Sequence, residues 1–80
     1  MQVLVTYDSE ADAGYVALVR IAPGDAVRQQ AVRVADRGEL VLDFDTDGRL
    51  LGIEVLGATA IMRPEVIAAA LPSGQGLDNW

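Results

Sequence analysis

Val41-Leu42-Asp43-Phe44-Asp45-Thr46-Asp47-Gly48-Arg49-Leu50-Leu51-Gly52-Ile53-Glu54-Val55 decides how this chain folds, because its letters fit two incompatible structures. Read as D-x-D-x-D-G-x5-E, the stretch satisfies the calcium-loop pattern of an EF-hand; read by alternation, it is a tight β-hairpin. A calcium loop needs a helix on each side and a final carboxylate that folds back onto the ion. The flanks here are rich in Val, Leu and Ile with a period near two, the pattern of strands. With residues 49–56 extended at roughly 3.3 Å per residue, Glu54 lies about 23 Å along the chain from Asp47. Calcium ligands sit about 2.4 Å from the ion, so the two carboxylates cannot share one. Asp45-Thr46-Asp47-Gly48 suits a turn instead, since Asp accepts a local backbone hydrogen bond and Gly takes positive φ without a Cβ penalty. A hairpin is therefore expected.

The apolar pattern selects its register, because a slip of one residue would send every side chain to the opposite face. A four-residue loop sets Phe44 opposite Arg49, Leu42 opposite Leu51 and Leu40 opposite Ile53, giving one nearly apolar face. The reverse face then carries Glu39, Val41, Asp43, Leu50, Gly52 and Glu54, with Glu39 opposite Glu54 and Val41 opposite Gly52. Like charges across a ladder repel, so that carboxylate pair is expected to be solvated or neutralised by an arginine.

Outward from the hairpin, Gln2 to Tyr7 alternates as a first strand, and Asp8-Ser9-Glu10-Ala11-Asp12-Ala13 has the acids and alanines of one helical turn. Tyr15 to Ile21 resumes alternation as a second strand, stopped at Ala22-Pro23-Gly24-Asp25. Val27 to Val34 is a more polar third strand whose Arg28, Gln29, Gln30 and Arg33 suit a sheet edge. Asp36-Arg37-Gly38 turns the chain into the hairpin. Beyond Gly57-Ala58-Thr59, Pro64 to Leu71 reads as a helix with proline in its first turn, Glu65 complementing its dipole and Val66, Ile67, Ala70 and Leu71 forming a stripe. The expected fold is α+β and mainly β: a single antiparallel sheet of about five strands, a meander of hairpins, with a short acidic helical turn after strand 1 and one C-terminal helix packed on the sheet. One compact domain over residues 1–71 and a flexible tail over 72–80, ending in Trp80, are expected.

The chain has 80 residues, so one small core is all it can build. It has no cysteine, histidine or lysine, which removes disulfides and the usual zinc sites and leaves association as the means of adding stability. Its net charge is −6 and its six arginines are scattered, which argues against nucleic acid. No apolar run reaches the roughly 18 residues of a membrane span and no secretory leader is visible, so a soluble cytoplasmic protein is expected.

Tyr7-Asp8-Ser9-Glu10-Ala11-Asp12-Ala13-Gly14-Tyr15 and Leu42-Asp43-Phe44-Asp45-Thr46-Asp47-Gly48-Arg49-Leu50-Leu51-Gly52-Ile53-Glu54-Val55-Leu56 resemble the two signatures of one family of small prokaryotic proteins, known as domain of unknown function 2283. The similarity runs over roughly residues 1 to 57, and the signature positions are Tyr7, Asp8, Glu10, Asp12, Tyr15, Asp43, Asp45, Gly48, Gly52 and Glu54. The resemblance implies a compact antiparallel sheet with little helix, no established activity, and small two-gene modules in which such a protein partners a toxin-like protein. One departure is Gly14, where a larger side chain is expected; glycine there should weaken the start of the second strand.

Three functions are compatible with these residues. Without histidine, cysteine or lysine the commonest general base, the thiolate and the Schiff-base amine are missing, and neither Ser9 nor Ser73 has a base spaced to activate it. A carboxylate hydrolase would need Asp8 or Asp12 to stand about 5 to 10 Å from Glu54 across a cleft. A cation-binding protein would use Asp43, Asp45 and Asp47 to hold calcium weakly. The leading expectation is an interaction module with no cofactor, a homodimer or the partner of a second protein, docking through the sheet face the helix leaves uncovered. On that account the signature acids are turn and cap residues.

Overall fold

The computed structural model describes residues 3–73. The expected strand residue Gln2 and the tail beyond Ser73, Trp80 included, lie outside them. Six strands and two short helices follow in the order β1 (Leu4–Asp8), β2 (Ala13–Ala17), β3 (Arg28–Val34), β4 (Gly38–Phe44), β5 (Leu50–Leu56), α1 (Ala58–Ile61), α2 (Pro64–Ala69) and β6 (Leu71–Pro72). All belong to one sheet ordered β3-β4-β5-β2-β1-β6. The fold is mainly β with helices, as expected, but the sheet is mixed rather than antiparallel and is not a simple meander. β5 returns beside β2, and β6 adds to β1 in parallel, through Thr6 with Leu71 and Tyr7 with Pro72. No helix among the described residues is long and apolar enough to cross a membrane.

The decisive stretch is a hairpin, with residues 50–56 extended. Its pairing differs from the expected one by two residues of β5: Leu40 faces Val55, Val41 faces Glu54, Leu42 faces Ile53 and Asp43 faces Gly52. Two features cause the shift. Phe44 faces Leu50 and not Arg49, so the loop between the paired residues runs over 45–49, one residue longer than assumed, and Leu51 is an extra residue where Asp43 faces Gly52 but Phe44 faces Leu50. Because the shift is even, the faces survive and Glu39 faces Leu56 instead of Glu54. Leu50 leaves the expected reverse face, paired with Phe44 beyond the bulge.

Cross-strand partners share a face, so the rows of the sheet can be read through all five long strands. Tyr7, Gly14, Val55, Leu40 and Val32 form one row, flanked by Val5, Val16, Ile53, Leu42 and Gln30. This is the helix-covered face, since a Cβ on Gly14 would point at Met62 Sδ (3.0 Å) and Ala58 Cβ (3.7 Å). Gly14 leaves room for Ala58 of α1 and for Met62 beyond it, and β2 begins at Ala13, one residue before it. The opposite face carries the row Thr6, Tyr15, Glu54, Val41 and Ala31 and the row Leu4, Ala17, Gly52, Asp43 and Gln29.

Residues 9–12 form the four-residue loop of the β1–β2 hairpin, not a helical turn, and Asp12 takes φ 50° to reverse the chain. Gly57, at φ 80°, ends β5 and opens α1, an element the sequence did not suggest; α2 is shorter than expected because Leu71 pairs with β1. Ile67 and Ala70 of the helix stripe are half-buried, whereas Val66 and Leu71 remain exposed.

Candidate functional site

The face without helices has a polar centre built from three strands. Tyr15 on β2 lies across β5 and donates its hydroxyl hydrogen to Asp43 Oδ2 on β4 at 2.7 Å. Gln29 on β3 donates from Nε2 to Asp43 Oδ1 at 2.7 Å, so both carboxylate oxygens are engaged and Asp43 is 7% exposed. Gly52 is the seat of the tyrosine. A Cβ there would collide with the Tyr15 hydroxyl and stand 2.7 Å from Cζ and 2.8 Å from Cε2. Burial pushes the Tyr15 hydroxyl far above its ordinary titration range, helped by the hydrogen bond to Asp43 and by the charges of Asp43 and Glu54. The hydroxyl therefore stays protonated and donating at neutral pH.

A second constellation ties the β1–β2 loop to α1. The Asp12 carbonyl accepts from the N–H groups of Gly57 (3.1 Å) and Ala58 (2.9 Å). Its carboxylate accepts from Thr59 N–H (3.1 Å), the Thr59 hydroxyl (2.8 Å) and the Tyr7 hydroxyl (2.8 Å). Asp12 thus caps a helix 46 residues away in sequence (58 − 12), satisfying donors that the first turn leaves open. Hydrogen bonds from the Thr59 and Tyr7 hydroxyls hold its carboxyl below the usual aspartate range.

Three of the remaining signature residues, Asp8, Asp45 and Gly48, shape turns. Asp8 Oδ1 accepts from the N–H of Glu10 (3.0 Å) and Ala11 (3.4 Å). Asp45 Oδ1 accepts from the N–H of Asp47 and of Arg49, both at 2.9 Å, and Gly48 supplies φ 78°. Glu10 is exposed. Glu54 is half-buried on the helix-free face, between Tyr15 and Val41. Gln29, Thr59 and Met62 complete these constellations and were not singled out from the sequence, because their partners lie 14, 47 and 48 (62 − 14) residues away.

The structure does not gather the proposed catalytic or cation-binding groups. Asp43 is tied to Tyr15 and Gln29, and Asp45 to its own turn; among the described residues no group of three carboxylates is placed to hold a metal ion. Asp12 caps α1. Asp8 stands two strands from Glu54 and two residues further along, about 10 Å across and about 7 Å lengthwise, with its carboxylate turned to its own loop. Tyr15 and Asp43 join β2 to β4, which share no ladder, and Asp12 fastens the β1–β2 loop to α1 beside its own backbone bonds.

The fold and these constellations define a small single-sheet protein whose tyrosines, acids and glycines fasten strands and a helix together. The family model described as protein of unknown function (DUF2283) matches residues 4–58, and the chain belongs to that family. No curated protein and no solved structure matches the chain significantly.

Proposed function

We propose that the protein is a soluble, cytoplasmic interaction module that associates with a second protein or with another copy of itself through the side of the sheet remote from the helices. One observation carries the reading: β3, seven residues long and outermost in the sheet, is exposed from Arg28 through Arg33. Apolar Val27 and Val32 are 55% and 38% exposed on and beside it. A long exposed edge strand is a template for pairing with another chain, and proteins usually shorten, bend or cover such edges. The core supports the same reading, since no large side chain is fully buried among the described residues and a domain this small gains stability from a partner. Eight of the ten signature residues, all but Glu10 and Glu54, go to turns, a cap and cross-strand ties, and the reading assigns them no chemistry.

Light scattering coupled to size-exclusion chromatography, on protein isolated from its native host at micromolar concentration, tests the proposal. A dimer mass or a stoichiometric co-purifying chain is expected. A monodisperse monomer with nothing bound overturns it.

A further inference from the structure

We infer that β3 accepts an extended acidic segment of a different protein as a seventh strand, with Arg28 and Arg33 selecting its charge. This rests on the interaction reading above and narrows it to one edge and one class of partner.

The two edges of the sheet differ. At one, β6 is two residues long and one of them is Pro72, which has no N–H to donate, so β6 offers little to a further strand. At the other, β3 pairs with β4 over seven consecutive residues without a bulge or a proline, leaving a regular row of outward backbone groups. Adding a strand to such an edge draws affinity from main-chain hydrogen bonds and specificity from the side chains at alternate positions.

The side chains of β3 specify charge. Between Asp25 and Asp36 the chain has two arginines and no acid, whereas the whole chain carries −6. Neither Arg28 nor Arg33 forms an ion pair among the described residues, although Arg33 stands opposite Glu39. Arg28 rests over the ring of Phe44, its partner on β4, with its guanidinium carbon 4.8 Å from the centroid, an exposed contact that a carboxylate on an incoming strand competes with. Two copies joined edge to edge would collect four arginines and no carboxylate in one ladder, so a second copy is the wrong occupant. An acidic strand reverses that sign. Arg28 and Arg33 are five residues apart, hence on opposite faces and about 16 Å apart along the strand, so the matching segment bears two acids at that separation, one on each face. Exposed Val32 and Ala31 between them call for apolar residues in the middle of the guest. Nucleic acid fits less well, because two arginines on a chain of net −6 release few counterions.

The test is selection from a displayed library of random 12-residue peptides against the purified full chain, followed by fluorescence anisotropy and hydrogen exchange on the recovered sequences. Expected are peptides with two acids five residues apart, slowed exchange at residues 28–34, and binding weakened at least about tenfold by R28E/R33E. R28Q/R33Q, which removes the charges without reversing them, should give a smaller loss and serves if the reversed variant fails to fold. Peptides without acidic enrichment, equal binding to either variant, protection elsewhere, or equally tight binding of a 12-nucleotide single-stranded RNA overturns the inference. A dimer with β3 protected overturns it too, while leaving the interaction reading intact; a monomer from which the library yields no binder and nothing co-purifies overturns both.

Discussion

Replacing Gly52 by alanine adds one methyl group beneath the Tyr15 ring, where it would collide with the hydroxyl and come within 2.7 Å of Cζ. The obstacle is a planar ring held by a hydrogen bond, not the free end of a flexible chain, so the ring must lift and the 2.7 Å contact with Asp43 is lost. Overpacking a well-filled site costs about 1–3 kcal/mol, and losing a hydrogen bond to a charged group costs about 1.5–3 kcal/mol. The two overlap, because lifting the ring relieves the crowding. Against them, exchanging glycine for alanine in ordinary strand backbone contributes about 0.4–1 kcal/mol by restricting the unfolded chain. The net expectation is a destabilisation of about 2–4 kcal/mol, or a fall in Tm on the order of 10–25 °C for a domain of this size. Urea unfolding followed by circular dichroism measures it, and Tyr15→Ala supplies the control. With the ring gone, the three atoms nearest the new methyl are removed, and G52A should cost the Tyr15→Ala background clearly less than it costs the wild type. A neutral G52A, or the same loss with and without the ring, refutes the assignment of Gly52 as the tyrosine's seat.

Asp12→Ala should lower Tm more than Asp12→Asn in thermal melts, because asparagine keeps one acceptor for Thr59 and tolerates the φ of 50°. Since the folded carboxyl of Asp12 lies below its unfolded value, its contribution is present above roughly pH 4 and is lost as pH falls through the folded value; acid titration of Asp12→Asn should show a shallower decline. Both tyrosines titrate above the ordinary value, Tyr7 because it donates to Asp12 and Tyr15 because it is buried. Their contribution is complete below about pH 10 and disappears as pH rises through the folded values, so absorbance at 295 nm should show tyrosine ionisation displaced to higher pH than in the unfolded chain. Gly14→Ala should change stability by less than about 1 kcal/mol, because the atom it meets is the flexible Met62 Sδ, whereas Gly14→Val should displace α1 and cost about 1–3 kcal/mol in urea titrations.

What could be read from the sequence was what neighbours along the chain decide. The alternation through Leu40, Leu42, Ile53 and Val55 and the Asp45 to Gly48 turn identified the hairpin and its faces, because strand periodicity and turn chemistry are local. The register escaped because it depends on a loop one residue longer than assumed and on one extra residue, Leu51, neither of which any letter marks. Strand order escaped for a related reason: β5 beside β2 is a long-range pairing, and β6 is two residues whose partner is nearly the whole chain away. The contact at Gly14 escaped because a glycine's purpose depends on what lies above it, here Met62, and that is tertiary information.

The same distinction between local and long-range information bears on the ties that the signature residues make. β2 and β4 share no ladder; β5 separates them by two strand spacings, about 10 Å. Backbone hydrogen bonds cannot fasten strands at that distance, but a tyrosine laid over a glycine and ending on a carboxylate can, and the sequence supplies Tyr15, Gly52 and Asp43 on three separate strands for it. Asp12 does the equivalent between a loop and a helix. An acid used this way accepts a hydrogen bond on each oxygen, which holds its carboxylate toward the elements it ties. The signature therefore specifies which strands lie side by side, and a search for what distinguishes one such protein from another belongs on surfaces the ties leave unused, above all β3.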